Sequence, residues 1–420
     1  MTDNRPVDEA PPSGREFDIA GLGAQGDGLV RSQPEPLYIP NALPGERWRE
    51  TEGGAFERLT AAADRIEPPC PHFGACGGCV AQHMSHTLYA DWKSEQVRQA
   101  LAHQGIVCDL QPLWQAPAGS RRRMVLSADV ADGAIRLGFR AARSHDLVEI
   151  STCTIAAPEI VRSLPALRLV MAELARVGSL TAATRLHVLR ADNGIDVLVD
   201  AVQGRLSAST RATLAGLAAQ GGLLRLRIGN DEIYQSAQPV LQVAGADLRV
   251  PAGVFVQAVA AAEAVMAQTV VKALGRAKYV ADLFCGLGTF ALPIARRARV
   301  MAIDNQPEAV AALADSVRRV QGIKPIESLR RDLFREPLSR NELNRFDGVV
   351  FDPPRAGALA QSQALASSKV PCVVAVSCNP ATLARDLRCL IDGGYTLKSV
   401  TPIDQFLYSA HVEAVAVLRR

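Results

Sequence analysis

Apolar positions change their spacing repeatedly along the chain, and each change marks a candidate boundary. Between Phe17 and Trp48, short extended runs alternate with glycine (FDIAGLGAQGDGLVRSQPEPLYIPNALPGERW). Gly21, Gly23, Gly26, Gly28 and the Pro44-Gly45 pair punctuate the turns. That spacing suits a small, strongly bent antiparallel barrel. Residues 49–69 read as a helix stopped by Pro68-Pro69, and 85–104 (SHTLYADWKSEQVRQALAHQ) as a second helix with a moderate apolar stripe. From about 110 to 250, strand-length alternation takes over in RRRMVLSADV, GAIRLGFRA, TRLHVLRA and GIDVLVDA. One helix near 158–177 interrupts it, and Ala131-Asp132-Gly133 and Asp192-Asn193-Gly194 supply turns.

After about Val254 the strands become continuously apolar and alternate with helices at 257–274, 289–297, 307–320, 358–367 and 380–392. Strands of that kind belong to a parallel sheet buried on both faces. The fold class is therefore α/β, with a Rossmann-like domain at 253–420, an α+β central domain at 67–252 and a β-barrel at 15–66. Helix 85–105 can pack on the C-terminal domain. Residues 1–14 are polar, acidic and proline-bearing, and the sequence predicts a disordered tail without a signal core, hence a cytoplasmic protein.

Composition excludes more than it assigns. Of 420 residues, 48% are apolar and 21% charged, so global disorder is excluded. A run of about 18 apolar residues is absent from the sequence, so no membrane partner is expected. The net charge of +3 permits a nucleic-acid partner without requiring one. Nine cysteines are too few for a disulfide scaffold of this length, which turns a tight cluster toward metal or catalysis.

DLFCGLGTF lies where the first Rossmann strand turns into its helix. Gly286 and Gly288 let the backbone approach a ligand closely, and Asp304, ending the next strand, can accept from ribose hydroxyls. Gly286, Gly288 and Ala291 also satisfy a loose dinucleotide pattern, which leaves NAD open. FDPPRAG, two strands later, resembles S-adenosylmethionine methyltransferases instead. The next strand delivers Cys378 in SCNP, ahead of helix 380–392, whose dipole is expected to favour thiolate. A thiolate can add to C6 of a pyrimidine and make C5 nucleophilic. Removing the C5 proton afterwards needs a base, and Glu413 in the final strand AHVEAVAVL is the candidate. The alternative for Glu413 is an ion pair with Arg355. Cys372, at the far end of its strand, reads as core, and Cys285, Cys108 and Cys389 as packing residues.

CPHFGACGGC brings Cys70, Cys76 and Cys79 together, with Cys153 in STCTI as a fourth ligand. Composition alone favours zinc, with a 4Fe–4S cluster compatible. Arg121, Arg122 and Arg123, with Arg136, Arg140 and Arg143 near them, form either an RNA surface or a solvated strand edge.

Together with VFVQ, SCNPATL and HVEAV, these motifs resemble the bacterial RNA 5-methyluridine methyltransferases over nearly the whole chain after the tail. The similarity is greatest to the type acting on 23S rRNA, with a TRAM barrel and an iron–sulfur cluster. The resemblance implies S-adenosylmethionine as cofactor, held by Gln257, Phe284, Gly286, Gly288, Thr289, Asp304, Asp332 and Asp352. Gln257 and Asp352 are also placed near the target uracil. It implies a 4Fe–4S cluster on Cys70, Cys76, Cys79 and Cys153 rather than zinc, Cys378 as nucleophile, and Glu413 as base. It further implies RNA contacts from Arg121, Arg122, Arg123 and Arg140, and a monomer acting on 23S rRNA, with tRNA as the alternative. Thr289 stands where the family has asparagine and Asp304 where it has glutamate, each with a shorter reach. The segment RETEGGAFE after the barrel is acidic where relatives are basic. Inside structured RNA a uracil cannot reach a thiolate, so the target base is expected to flip out. Two other classes remain: amino-group methylation, opposed by Arg355 where a stacking aromatic would stand, and a non-catalytic assembly factor.

Overall fold

The computed structural model describes residues 14–31 and 35–420. Nearly all of the expected tail lies outside the described residues. Six short strands follow, in two antiparallel sheets, from Glu16–Asp18 to Phe56–Thr60. Their shared core is Phe17, Ile19, Val30, Ile39, Ala42 and Trp48, as a small barrel requires. The helix expected at 49–69 is absent. Gly53 and Gly54 instead close a hairpin, with Thr51 N–H donating to the Ala55 carbonyl and Arg47–Glu50 pairing with Phe56–Thr60. Helix-favouring Glu, Arg and Ala side chains there yield to the glycine turn and to burial of Trp48.

The central region is a seven-stranded sheet with two helices, Pro158–Arg176 and Ala208–Gln220. The second was not expected. Its apolar stripe is thin, since only Thr210, Leu214 and Ala218 are buried.

In the C-terminal region eight strands run in the order Ile326–Arg330, Arg299–Asp304, Tyr279–Leu283, Gly348–Phe351, Cys372–Ser377, Glu413–Arg419, Thr396–Asp404, Trp114–Gln115. The first five are parallel, and Glu413–Arg419 is antiparallel to both neighbours. Strand order reverses between Tyr279–Leu283 and Gly348–Phe351, so a ligand crevice opens at their carboxyl ends.

Helix His86–His103 does pack on this sheet, through a buried ion pair. Lys93 Nζ lies 2.9 Å from Asp404 Oδ1, and the Tyr89 hydroxyl donates to Asp404 Oδ2 at 2.5 Å. Lys93 also donates to the carbonyls of Phe406 and His411, pinning both ends of the loop between the last two strands. Removing one member of such a pair leaves a buried charge without a partner and costs about 3–5 kcal/mol, whereas replacing both by apolar groups costs far less. Lys93→Met is therefore expected to lower stability in urea denaturation by that amount. Lys93→Met with Asp404→Leu is expected to recover much of it.

Candidate active site

The strand Tyr279–Leu283 ends in a sharp turn. Phe284 takes φ +59°, a strained conformation for a side-chain-bearing residue, and Gly286 and Gly288 take +51° and +91°. A Cβ on Gly286 would meet nothing within 4 Å, so that face is open to a ligand. One on Gly288 would come within 2.5 Å of Leu313 Cδ1, which packs the turn against its helix. Asp304 accepts from Gly286 N–H at 2.8 Å and from Gln306 N–H at 2.9 Å, tying the first turn to the second. Asp332 caps Phe334 N–H at 3.0 Å, and the Phe334 ring lies 5.3 Å from that of Phe284. Thr289 lines the same cleft. Below the turn, Asp282 is fully buried, and burial holds it well above the usual carboxylate range against the smaller pull of the Ala291 N–H.

The antiparallel register decides the chemistry. Ser377 pairs with Ala414. One step further along each strand, Cys378 faces Glu413, and Asp352 follows the neighbouring strand Gly348–Phe351. Glu413 makes no ion pair with Arg355, whose guanidinium meets His411 Nε2 instead at 2.9 Å. Glu413 Oε2 accepts from Gln405 Nε2 at 2.7 Å. That nitrogen also donates to Gln257 Oε1 at 2.8 Å, and Gln257 Nε2 donates to Asp352 Oδ2 at 3.0 Å. Burial, then the Asp352 charge, pushes Glu413 up to about 8, and burial pushes Asp352 up to about 7. Two carboxyls so close titrate as a pair.

The expected thiolate is not what the surroundings favour. Burial, and then the charges of Glu413 and Asp352, push the Cys378 thiol up to about 11, against the smaller pull of Arg355. The resting group is a thiol, and attack requires a proton acceptor. Cys372 is core, as expected, and so is Cys285, which also lines the cleft.

Cys378, Glu413, Asp352, Gln257 and the glycine turn open on one cleft of about 810 Å³, which also reaches Cys70, Cys76, Cys79 and Cys153. None of those four cysteines is joined in a disulfide. Burial and neighbouring sulfurs raise Cys76 and Cys153, and push Cys79 up to about 12, so these sulfurs ionise readily only beside a cation. Among the described residues, no three His, Cys, Asp or Glu side chains close around one point as ligands of a single metal ion.

The arginines separate by strand alternation. Arg121 and Arg123 line the cleft, Arg121 over the Phe406 ring and Arg123 over the exposed Phe255, 4.5 Å from its centroid. Arg122 points the other way, off the cleft. It is buried, paired with Glu263, and donates to the Gln257 carbonyl at 2.9 Å. Arg140 donates to the His145 carbonyl outside the cleft, while its own carbonyl accepts from Gly77 in the cysteine loop. Arg136 and Arg143 are paired with Asp129 and Asp27. Gln405, Phe255 and Phe334 were not singled out by the sequence.

A family model described as tRNA (Uracil-5-)-methyltransferase matches residues 225–420. An uncharacterized RNA methyltransferase of Mesorhizobium japonicum is 46% identical over 406 residues, 96% of this chain and 97% of that one. A 23S rRNA (uracil(1939)-C(5))-methyltransferase of Edwardsiella ictaluri is 35% identical over 420 residues, covering 94% of this chain and 93% of the relative. The chain belongs to the RNA (uracil-C5)-methyltransferase family. It is an S-adenosylmethionine-dependent enzyme of that family. The fold agrees with the Pyrococcus abyssi tRNA (uracil-54, C5)-methyltransferase solved with S-adenosyl-L-homocysteine. That likeness has a TM-score of 0.75 at 19% identity and covers 96% of this methyltransferase and 99% of the solved chain. Within the described residues, no helix is long and apolar enough to cross a membrane.

Proposed function

We propose that the methyltransferase transfers a methyl group to C5 of one uridine in 23S rRNA through a covalent bond between Cys378 and C6. The observation that carries this reading is the register placing Cys378 opposite Glu413, with Asp352 alongside. When bound, S-adenosylmethionine supplies an electrophilic methyl on a sulfonium. The turn of Phe284, Gly286, Gly288 and Thr289, with Asp304 and Asp332, would hold it, and Gln257 and Asp352, on the same cleft, would also reach the uracil.

Asp352, the lower of the raised pair, takes the thiol proton as Cys378 sulfur bonds to C6. The π electrons of the 5,6 bond move toward O4, where protonated Asp352 can donate a hydrogen bond. C5, made nucleophilic by that addition, would take the methyl group that S-adenosylmethionine supplies when bound, with the thioether as leaving group. Glu413 removes the C5 proton, the electrons expel the sulfur from C6, and Asp352 returns the proton to Cys378. One proton leaves to solvent from Glu413, so the balance closes.

We infer that Cys70, Cys76, Cys79 and Cys153, which line one cleft, would hold a 4Fe–4S cluster rather than a single zinc. Zinc needs four sulfurs about 2.3 Å from one point, whereas a cube spreads them over separate irons. Its chemistry there would be a cross-link between two segments, since methyl transfer moves no electrons between metal and substrate. Iron analysis of anaerobically purified protein is expected to find about four irons per chain, lost in Cys79→Ser. Stoichiometric zinc would contradict it.

The 35% identity to the Edwardsiella relative, extending through barrel and cysteine loop, supports 23S rRNA over tRNA. An rRNA target implies action in the cytoplasm, with Arg121 and Arg123 as the cleft arginines toward RNA. Mass-spectrometric mapping of RNA from a strain lacking the gene tests the target. One 5-methyluridine is expected to vanish from 23S rRNA and return with the wild-type gene. A loss confined to tRNA would overturn the assignment.

A further inference from the structure

We propose that Gln405 is a positioning residue that makes the site choose uracil over cytosine, by fixing which end of the Gln257 amide faces the base. The proposal rests on the reading that the cleft receives a pyrimidine for attack by Cys378.

Gln405 is buried behind Glu413 and does not line the cleft. Its side-chain nitrogen is shared between Glu413 Oε2 at 2.7 Å and Gln257 Oε1 at 2.8 Å. In its working, unprotonated form the Glu413 carboxylate only accepts, so the Gln405 group facing it in that form is its NH2. With one hydrogen on Glu413, the other falls on Gln257, and Gln257 must offer its carbonyl oxygen there. Its own NH2 is thereby turned to Asp352 Oδ2, 3.0 Å away. An NH2 has two hydrogens, and the second has no acceptor among the described residues. Gln257 lines the cleft beside Cys378. Buried Arg122 anchors the Gln257 backbone by donating to its carbonyl at 2.9 Å.

The edge shown to a pyrimidine is therefore a donor. Uracil presents a carbonyl at C4 and accepts; cytosine presents an amino group and would set donor against donor. Leaving buried polar groups unpaired is how a site rejects the wrong base strongly. The Glu413 carboxylate thus has a second consequence, because its charge state sets the polarity of the chain Glu413, Gln405, Gln257, Asp352. Lys93 and Asp404 hold Gln405 from behind, since Asp404 is its chain neighbour and Lys93 pins the loop that follows.

The experiment uses the full-length enzyme in excess over an RNA it methylates, carrying 5-fluorouridine or 5-fluorocytidine at the target. Rates of covalent adduct formation are compared. Wild type is expected to prefer fluorouridine by roughly 10⁴. Gln405→Leu removes both donors and is expected to lower that ratio at least tenfold. Gln405→Glu, of the same shape, offers Gln257 an acceptor and is expected to lower it further. An unchanged ratio in either variant that still forms adduct overturns the proposal. Absence of any adduct in both variants also overturns it, because Gln405 does not touch Cys378. Failure of wild type to trap fluorouridine would instead sink the underlying covalent reading.

Discussion

Cys378→Ala is expected to lower methylation below about one ten-thousandth of wild type, as loss of the nucleophile does in other covalent enzymes. The reasoning is chemical before it is structural. C5 of uracil carries too little electron density to attack a methyl group unaided, and only addition at C6 provides it. Cys378 is the one cysteine that the register sets beside both raised carboxyls. Cys372 sits at the opposite end of the same strand, with its thiol against the Ala273 carbonyl. Cys285 is a buried member of the glycine turn itself, on a different strand end from the two raised carboxyls. Donor binding is expected to survive in Cys378→Ala, since the turn and Asp304 do not depend on the thiol. Isothermal titration with S-adenosylmethionine beside a single-turnover methylation assay checks both halves. Retained methylation would eliminate the covalent route.

Glu413→Gln is expected to stop the reaction one step later. The amide keeps the shape and can still accept from Gln405, but it cannot take the C5 proton. Methyl transfer then proceeds once, and a protein–RNA adduct builds up on ordinary, unfluorinated RNA. Turnover falls by about 10²–10⁴, the usual contribution of a positioned base. In the wild type the unprotonated form is the working form. Because burial and Asp352 raise Glu413 to about 8, turnover is expected to increase with pH through that region and then level off. The pair with Asp352 shares the titration, so the apparent midpoint belongs to both. Glu413→Gln should abolish that limb in the residual activity. Denaturing gels of the RNA reaction and a pH series provide the measurements, and normal turnover without adduct would exclude Glu413 as the base.

Much of this site was readable in the chain because its fold rests on strong patterns. Strands buried on both faces must be apolar throughout, so YVADLF and CVVAVS declared themselves, and the polar residues ending them stood out. Glu413 was conspicuous for the same reason. What stayed hidden depended on distant partners. Gln405 lies 148 positions from Gln257, and nothing local marks it as the link. Arg122 was grouped with its neighbours because a basic triplet looks uniform in sequence, although alternation sends its middle member inward. The Cys378 environment was misjudged because one helix end was weighed without the burial and the two carboxyls that outweigh it. Near the N-terminus, Gly53 and Gly54 turned a helix-like composition into a hairpin, a case of turn geometry overriding propensity.

The most direct test is to digest the adduct formed with 5-fluorouridine-containing RNA and locate the modified nucleotide by fragmentation mass spectrometry. It should sit on the sulfur of Cys378, within the peptide that also contains Cys372, and carry both the fluorine and the transferred methyl group. A nucleotide attached to any other residue, or a methylated product formed with no protein-linked species at all, would contradict the mechanism.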